Sequence, residues 1–146
     1  MLVNSSNNQK NIEIKLINLY EEHNKMSVKI IELLNHISRS IDEGNGAKLE
    51  NYSLIEKEFL QKLLKIKKII SGFEKNCSVF SEELIRARKR ASSQQDIIIT
   101  LGRNNRNILK NYLKRLSVQI ENISRKVLYS PSVSKQLTPQ FVDFNI

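Results

Sequence analysis

The sequence predicts an all-α fold: an elongated, antiparallel, coiled-coil-like bundle of three helices over residues 1–129, followed by an extended C-terminal tail over residues 130–146. Three observations predict it. Apolar residues recur in steps of three and four, the spacing that gathers them on one side of a helix, along most of the chain. The only prolines, Pro131 and Pro139, come after Tyr129, so no ring breaks the backbone ladder before that point. The four glycines, Gly44, Gly46, Gly72 and Gly102, are too few and too scattered for the tight turns of an all-β chain.

After a polar start from Asn4 to Gln9, the first helix carries Leu16, Leu19, Tyr20, Met26, Ile30, Leu33, Leu34, Ile37 and Ile41 at helical spacing. It ends at Asp42 and Glu43, where Gly44, Asn45 and Gly46 supply a left-handed cap and a short turn. From Ala47 the stripe resumes as Leu49, Tyr52, Leu54 or Ile55, Phe59, Leu63, Ile66 and Ile70, close to a heptad seam. Ser71 and Gly72 mark its expected end, although a helix running on through Gly72 is the competing reading. Ser81 is placed to cap a third helix, with Glu82 and Glu83 favourably sited in its positive first turn.

That third helix carries Leu84, Ala87, Ala91, Ile98, Leu101, Ile108 or Leu109, Tyr112 or Leu113, Leu116, Ile120, Ile123 and Val127. Gln94, Gln95, Gly102, Asn104 and Asn105 interrupt its seam or weaken its helix propensity, so a kink or opening is expected in its middle. The helix should stop by Ser130, because the residue before Pro131 is pushed out of the helical region. The tail nevertheless holds Val133, Leu137, Phe141, Val142, Phe144 and Ile146. It either folds back as core or orders on contact with a partner.

Composition excludes several functional classes. The single cysteine, Cys77, forbids an internal disulfide and points to a reducing cytoplasm. The opening MLVNSSNNQK lacks an apolar core of signal-peptide length, and the run Ile97 to Ile99 is far short of the roughly 20 residues of a spanning helix, so no membrane insertion is expected. The net charge of +9 is uneven, with 12 Lys+Arg against 10 Asp+Glu over residues 1–80 and 12 against 5 over the rest. Such asymmetry suits an anionic partner, but lysines solvating the outside of a helical rod are the favoured account.

The sequence carries no recognisable catalytic or metal-binding motif. His23 and His36 share no H-E-x-x-H signature, Cys77 has no CxxC partner, and no nucleophile elbow or glycine-rich phosphate loop occurs. Glu58 has Lys62 at i+4 for a helix-surface pair. The densest cation cluster, Arg86, Arg88, Lys89 and Arg90, spreads around more than half a helix and has few exposed aromatics beside it, so nucleic acid is the partner least favoured. No enzyme, cofactor or metal site is expected; an apolar seam that holds another chain is.

Three stretches resemble a known family. Glu32-Leu33-Leu34 running to Ile41-Asp42-Glu43-Gly44-Asn45 is similar to a leucine-rich first helix ending in an acidic, glycine-containing turn. Leu54-Ile55-Glu56-Lys57-Glu58-Phe59-Leu60 is similar to a Glu/Lys-rich second helix, and Arg103-Asn104-Asn105-Arg106-Asn107-Ile108-Leu109 to asparagines preceding paired apolar residues in the last helix. Together they resemble the FlgN-type flagellar export chaperones over nearly the whole chain.

The resemblance implies a cytoplasmic type III export chaperone that holds the C-terminal helical region of hook-filament junction (hook-associated) proteins and delivers them to the flagellar export gate. It places partner binding on Leu109, Tyr112, Leu113, Leu116, Ile120 and Ile123, with Phe141 and Phe144 of the tail, and gate docking on Tyr129. Here Pro131 comes soon after that tyrosine where the family has a glycine-containing stretch. The competing reading is that these side chains only pack against the first two helices. A self-assembling coiled coil and a basic nucleic-acid-associated protein are the rival functions.

Overall fold

A computed structural model of the chain describes residues 2–128, with side chains from Asn7 onward. They form three helices and no strand: α1 (Leu2–Asp42), α2 (Gly46–Glu74) and α3 (Glu82–Leu128). The all-α expectation holds. The boundary at Tyr129 and the tail, with Phe141 and Phe144, lie outside the described residues. Two compact units divide the chain inside α3, the first over Met1–Asn107 and the second from Ile108 on.

In the first unit, the turn after α1 arises directly from its sequence. Gly44 takes φ 66°, which a Cβ would oppose, and this lets Gly44 N–H reach the Ile41 carbonyl and Asn45 N–H the Ser40 carbonyl. These two bonds satisfy carbonyls that the end of a helix otherwise leaves open. Asn45 then caps α2, its side-chain oxygen accepting from Lys48 N–H at 3.1 Å. Gly44→Ala should cost about 1 kcal/mol through the left-handed backbone, read as a lower midpoint of urea unfolding.

α2 does not stop at Gly72 but runs two residues further, to Glu74. The two added residues supply the physical reason: Phe73 packs on the core and Glu74 accepts a hydrogen bond from the Tyr20 hydroxyl. The α2–α3 loop is then held by one side chain of α1. Gln9 donates through Nε2 to the Asn76 carbonyl at 3.2 Å, and its Oε1 accepts from Ser78 N–H at 3.3 Å. Ser81 caps α3 as its position implies, accepting from Leu84 N–H at 3.2 Å.

The core of this unit gathers Leu16, Ile70, Cys77 and Leu84, flanked by Ile12, Ile17, Leu19, Tyr20, Ile66, Phe73 and Phe80. Further along α1, Ile30, Leu33, Leu34, Ile37 and Ile41 are buried, as is Leu63 of α2. Directions can be read from paired contacts. Asn24 meets Gln94 seventy positions on, and Leu34 meets Asn105 seventy-one on, so α1 and this part of α3 run parallel. Glu74 meets Arg88 while Lys67 meets Gln95, so seven residues back along α2 match seven forward along α3, the antiparallel arrangement.

The polar and flexible residues in the middle of α3 do not end the helix. The helix continues through Gln94, Gln95, Gly102, Asn104 and Asn105. Three of these polar residues turn inward and each makes one side-chain hydrogen bond, which lowers the cost of placing them in a packed interface, while the buried Gln94 Oε1 has no partner among the described residues. Gln94 Nε2 donates to Asn24 Oδ1, Gln95 Oε1 accepts from Lys67 Nζ at 2.9 Å, and Asn105 Nδ2 donates to the Leu34 carbonyl at 2.8 Å. Gly102 has open space where a Cβ would stand. Gly102→Ala should therefore raise stability by up to about 1 kcal/mol, because alanine restricts the unfolded chain and favours helix; thermal unfolding followed by circular dichroism measures it.

Candidate partner-binding site

The second unit is described over residues 108–128, all of them helical. Leu, Lys, Arg, Gln and Glu favour helix here, and no glycine or proline interrupts it. Leu109, Leu113, Leu116, Ile120, Ile123 and Val127 succeed one another at alternating steps of four and three, which is the heptad seam of a coiled coil. Tyr112 stands at its edge. Of these, Leu113 and Ile123 are 55% and 45% exposed, while Leu109, Tyr112, Leu116, Ile120 and Val127 are half-buried.

All six helical residues expected to bind a partner thus lie on or beside one stripe. None of them is fully buried, unlike Leu16, Ile30 or Leu84 in the first unit. A stripe of aliphatic side chains at 3–4 spacing, left in contact with water, is a surface that gains by covering. The polar side carries Lys110, Lys114, Arg115, Arg125 and Lys126, all exposed, against one carboxylate, Glu121. Glu121 pairs with Arg125 at 3.2 Å, an exposed i,i+4 contact that contributes little to stability.

The first unit contains a second feature, one that residue type alone does not announce. His23 and Ser27 are buried, at 2% and 0% exposure, with Ser27 Oγ 3.4 Å from His23 Nδ1. The signal was present, since positions 23 and 27 continue the three-four spacing between Tyr20 and Ile30. A serine beside a histidine resembles a nucleophile with its base, but the Ser27 hydroxyl is fully buried and out of reach of a substrate, so the pair braces the core. A cavity of about 330 Å³ lies next to it, lined by Tyr20, His23, Lys67, Glu74, Arg88 and Gln95 among others.

Two of the charges around that cavity pair with each other, and Lys67 is held by the neutral Gln95 amide. Arg88 Nε lies 3.5 Å from Glu74 Oε1 and its guanidinium sits over the Phe80 ring at 4.9 Å. Burial, with Glu74 adding to it, holds the Tyr20 phenol well above its ordinary range, so it remains a hydrogen-bond donor. Burial lowers the His23 imidazole from 6.5, and the Lys67 ammonium pushes in the same direction. The other histidine, His36, stacks on Tyr52 with ring centroids 5.7 Å apart.

A neutral buried histidine makes stability depend on pH. The unfolded chain takes up the proton more readily than the folded one, so this contribution is complete above about pH 6.5 and is lost as pH falls below it. The thermal midpoint should therefore drop between about pH 7.5 and pH 5.5, and His23→Gln should make that drop shallower. An equal drop in the variant would locate the acid sensitivity elsewhere.

Among the described residues there is no cluster of three or more His, Cys, Asp or Glu suited to a metal ion, and no helix is long and apolar enough to cross a membrane. Against family models, curated proteins and solved structures, the chain finds no match.

Proposed function

We propose that this chain is a binding protein for a helical segment of another protein, working without catalysis as a cytoplasmic type III export chaperone. Its client would be the C-terminal helical region of flagellar hook-filament junction proteins, held unpolymerised and passed to the export gate. The observation that carries this reading is the water-exposed aliphatic stripe from Leu109 to Val127 on α3. An amphipathic client helix would lay its apolar face on that stripe through anchors at i, i+3, i+4 and i+7. The identity of the client and the role of Tyr129 at the gate rest on the resemblance to FlgN-type chaperones alone.

The test is a calorimetric titration of the purified chain with C-terminal segments of hook-filament junction proteins. A saturable one-to-one complex, lost in Leu113→Asp, is the expected result. No binding by any such segment would overturn the client assignment. Binding that survives Leu113→Asp and Ile123→Asp together would overturn the stripe as the site.

A further inference from the structure

The stripe has chemically one-sided edges. With Leu109, Leu116 and Ile123 at one set of core positions and Leu113, Ile120 and Val127 at the other, the flanking positions are Lys110, Ser117 and Ser124 along one edge and Tyr112, Gln119 and Lys126 along the other. No carboxylate occupies an edge. Lys110 and Lys126 are exposed and make no ion pair among the described residues. Lys114 and Arg115 stand one position further out, exposed and within reach of a long partner side chain.

Resting on the docking function proposed above, we infer that the stripe selects an amphipathic helix whose own edges carry Asp or Glu. Edge charges set partner choice in helical pairs, through attraction to the correct partner and repulsion of the wrong one. Charge complementarity also argues against a second copy of this chain as the occupant. Two copies would oppose lysine to lysine or to neutral side chains at every edge contact and gain no ion pair. A client with acidic edges gains contacts at Lys110 and Lys126, with Lys114 and Arg115 adding a longer-range pull.

The probes are three-heptad peptides with leucine at the core positions and, at the edges, glutamate in one and lysine in its twin. Each opposite-charge contact is worth a factor of about two and each like-charge contact disfavours by about the same, so the glutamate peptide should bind about tenfold more tightly at low salt. The gap should close toward about 1 M salt, where the screening length falls to about 3 Å. In the full chain, Lys110→Glu with Lys126→Glu should reverse the preference.

Equal affinity for the two peptides would overturn the charge selection while leaving the docking surface standing. Failure of both to bind would remove the docking surface and the selection with it. A dimer of the chain that is dissolved by Leu113→Asp, and that neither peptide displaces, would make a second copy the occupant and overturn the inference.

Discussion

Leu84→Ala should lower the free energy of unfolding by about 2–5 kcal/mol, the range for deleting a fully buried leucine side chain. Leu84 is 0% exposed and shares the core of the first unit with Leu16, Ile70 and Cys77, so residues of α1, α2 and the α2–α3 loop line the space it would leave. The loss includes both the transfer of the removed methyl groups and the cavity that remains, and a site fixed from three directions collapses poorly. Urea unfolding of the purified variant measures it. A loss below about 1 kcal/mol would mean that this end of the bundle closes over the gap, as loosely packed sites do.

The second large effect falls on binding. Leu113→Asp with Ile123→Asp should weaken a helical client by about 100-fold or more, because each side chain, once covered, is worth about 1.5–3 kcal/mol of burial. The same pair of changes should leave the thermal midpoint within a few degrees of the parent. Both residues are about half exposed in the free chain, so little buried area is lost on substitution. Affinity and midpoint are read on the same preparation, and the combination separates a docking surface from core: a midpoint that falls together with affinity would assign the two residues to the fold.

Much of this architecture is legible in the amino-acid order. The turn at Gly44, the cap at Ser81 and the buried run from Ile30 to Ile41 arise from glycine chemistry, capping chemistry and helical spacing acting locally. The stripe on α3 is legible for the same reason. Its exposure is not, since periodicity states which residues share a face and not what covers that face. The sites of failure are also specific. Gln94, Gln95 and Asn105 read as interruptions of the seam because their partners, Asn24, Lys67 and Leu34, lie far away in sequence. The burial of His23 and Ser27 is not evident from residue type, while Glu74 extends α2 through contacts with Tyr20 and Arg88 that no local rule anticipates.

The inward amides of α3 carry a consequence for uniqueness rather than strength. An aliphatic seam repeats every turn, so two helices joined only by leucines and isoleucines can slip by one repeat and lose little energy. The Asn105 amide on the Leu34 carbonyl and the Gln94 amide on Asn24 match at this alignment, and a slip would strand the buried Asn105 amide and the part-buried Gln94 amide without those partners. Replacing both Gln94 and Asn105 by leucine should therefore yield a protein of equal or higher melting temperature whose amide NMR spectrum shows more than one set of resonances for residues 84–105. In that sense the two polar side chains act as a vernier, indexing one helix against another where hydrophobic attraction alone sets no zero.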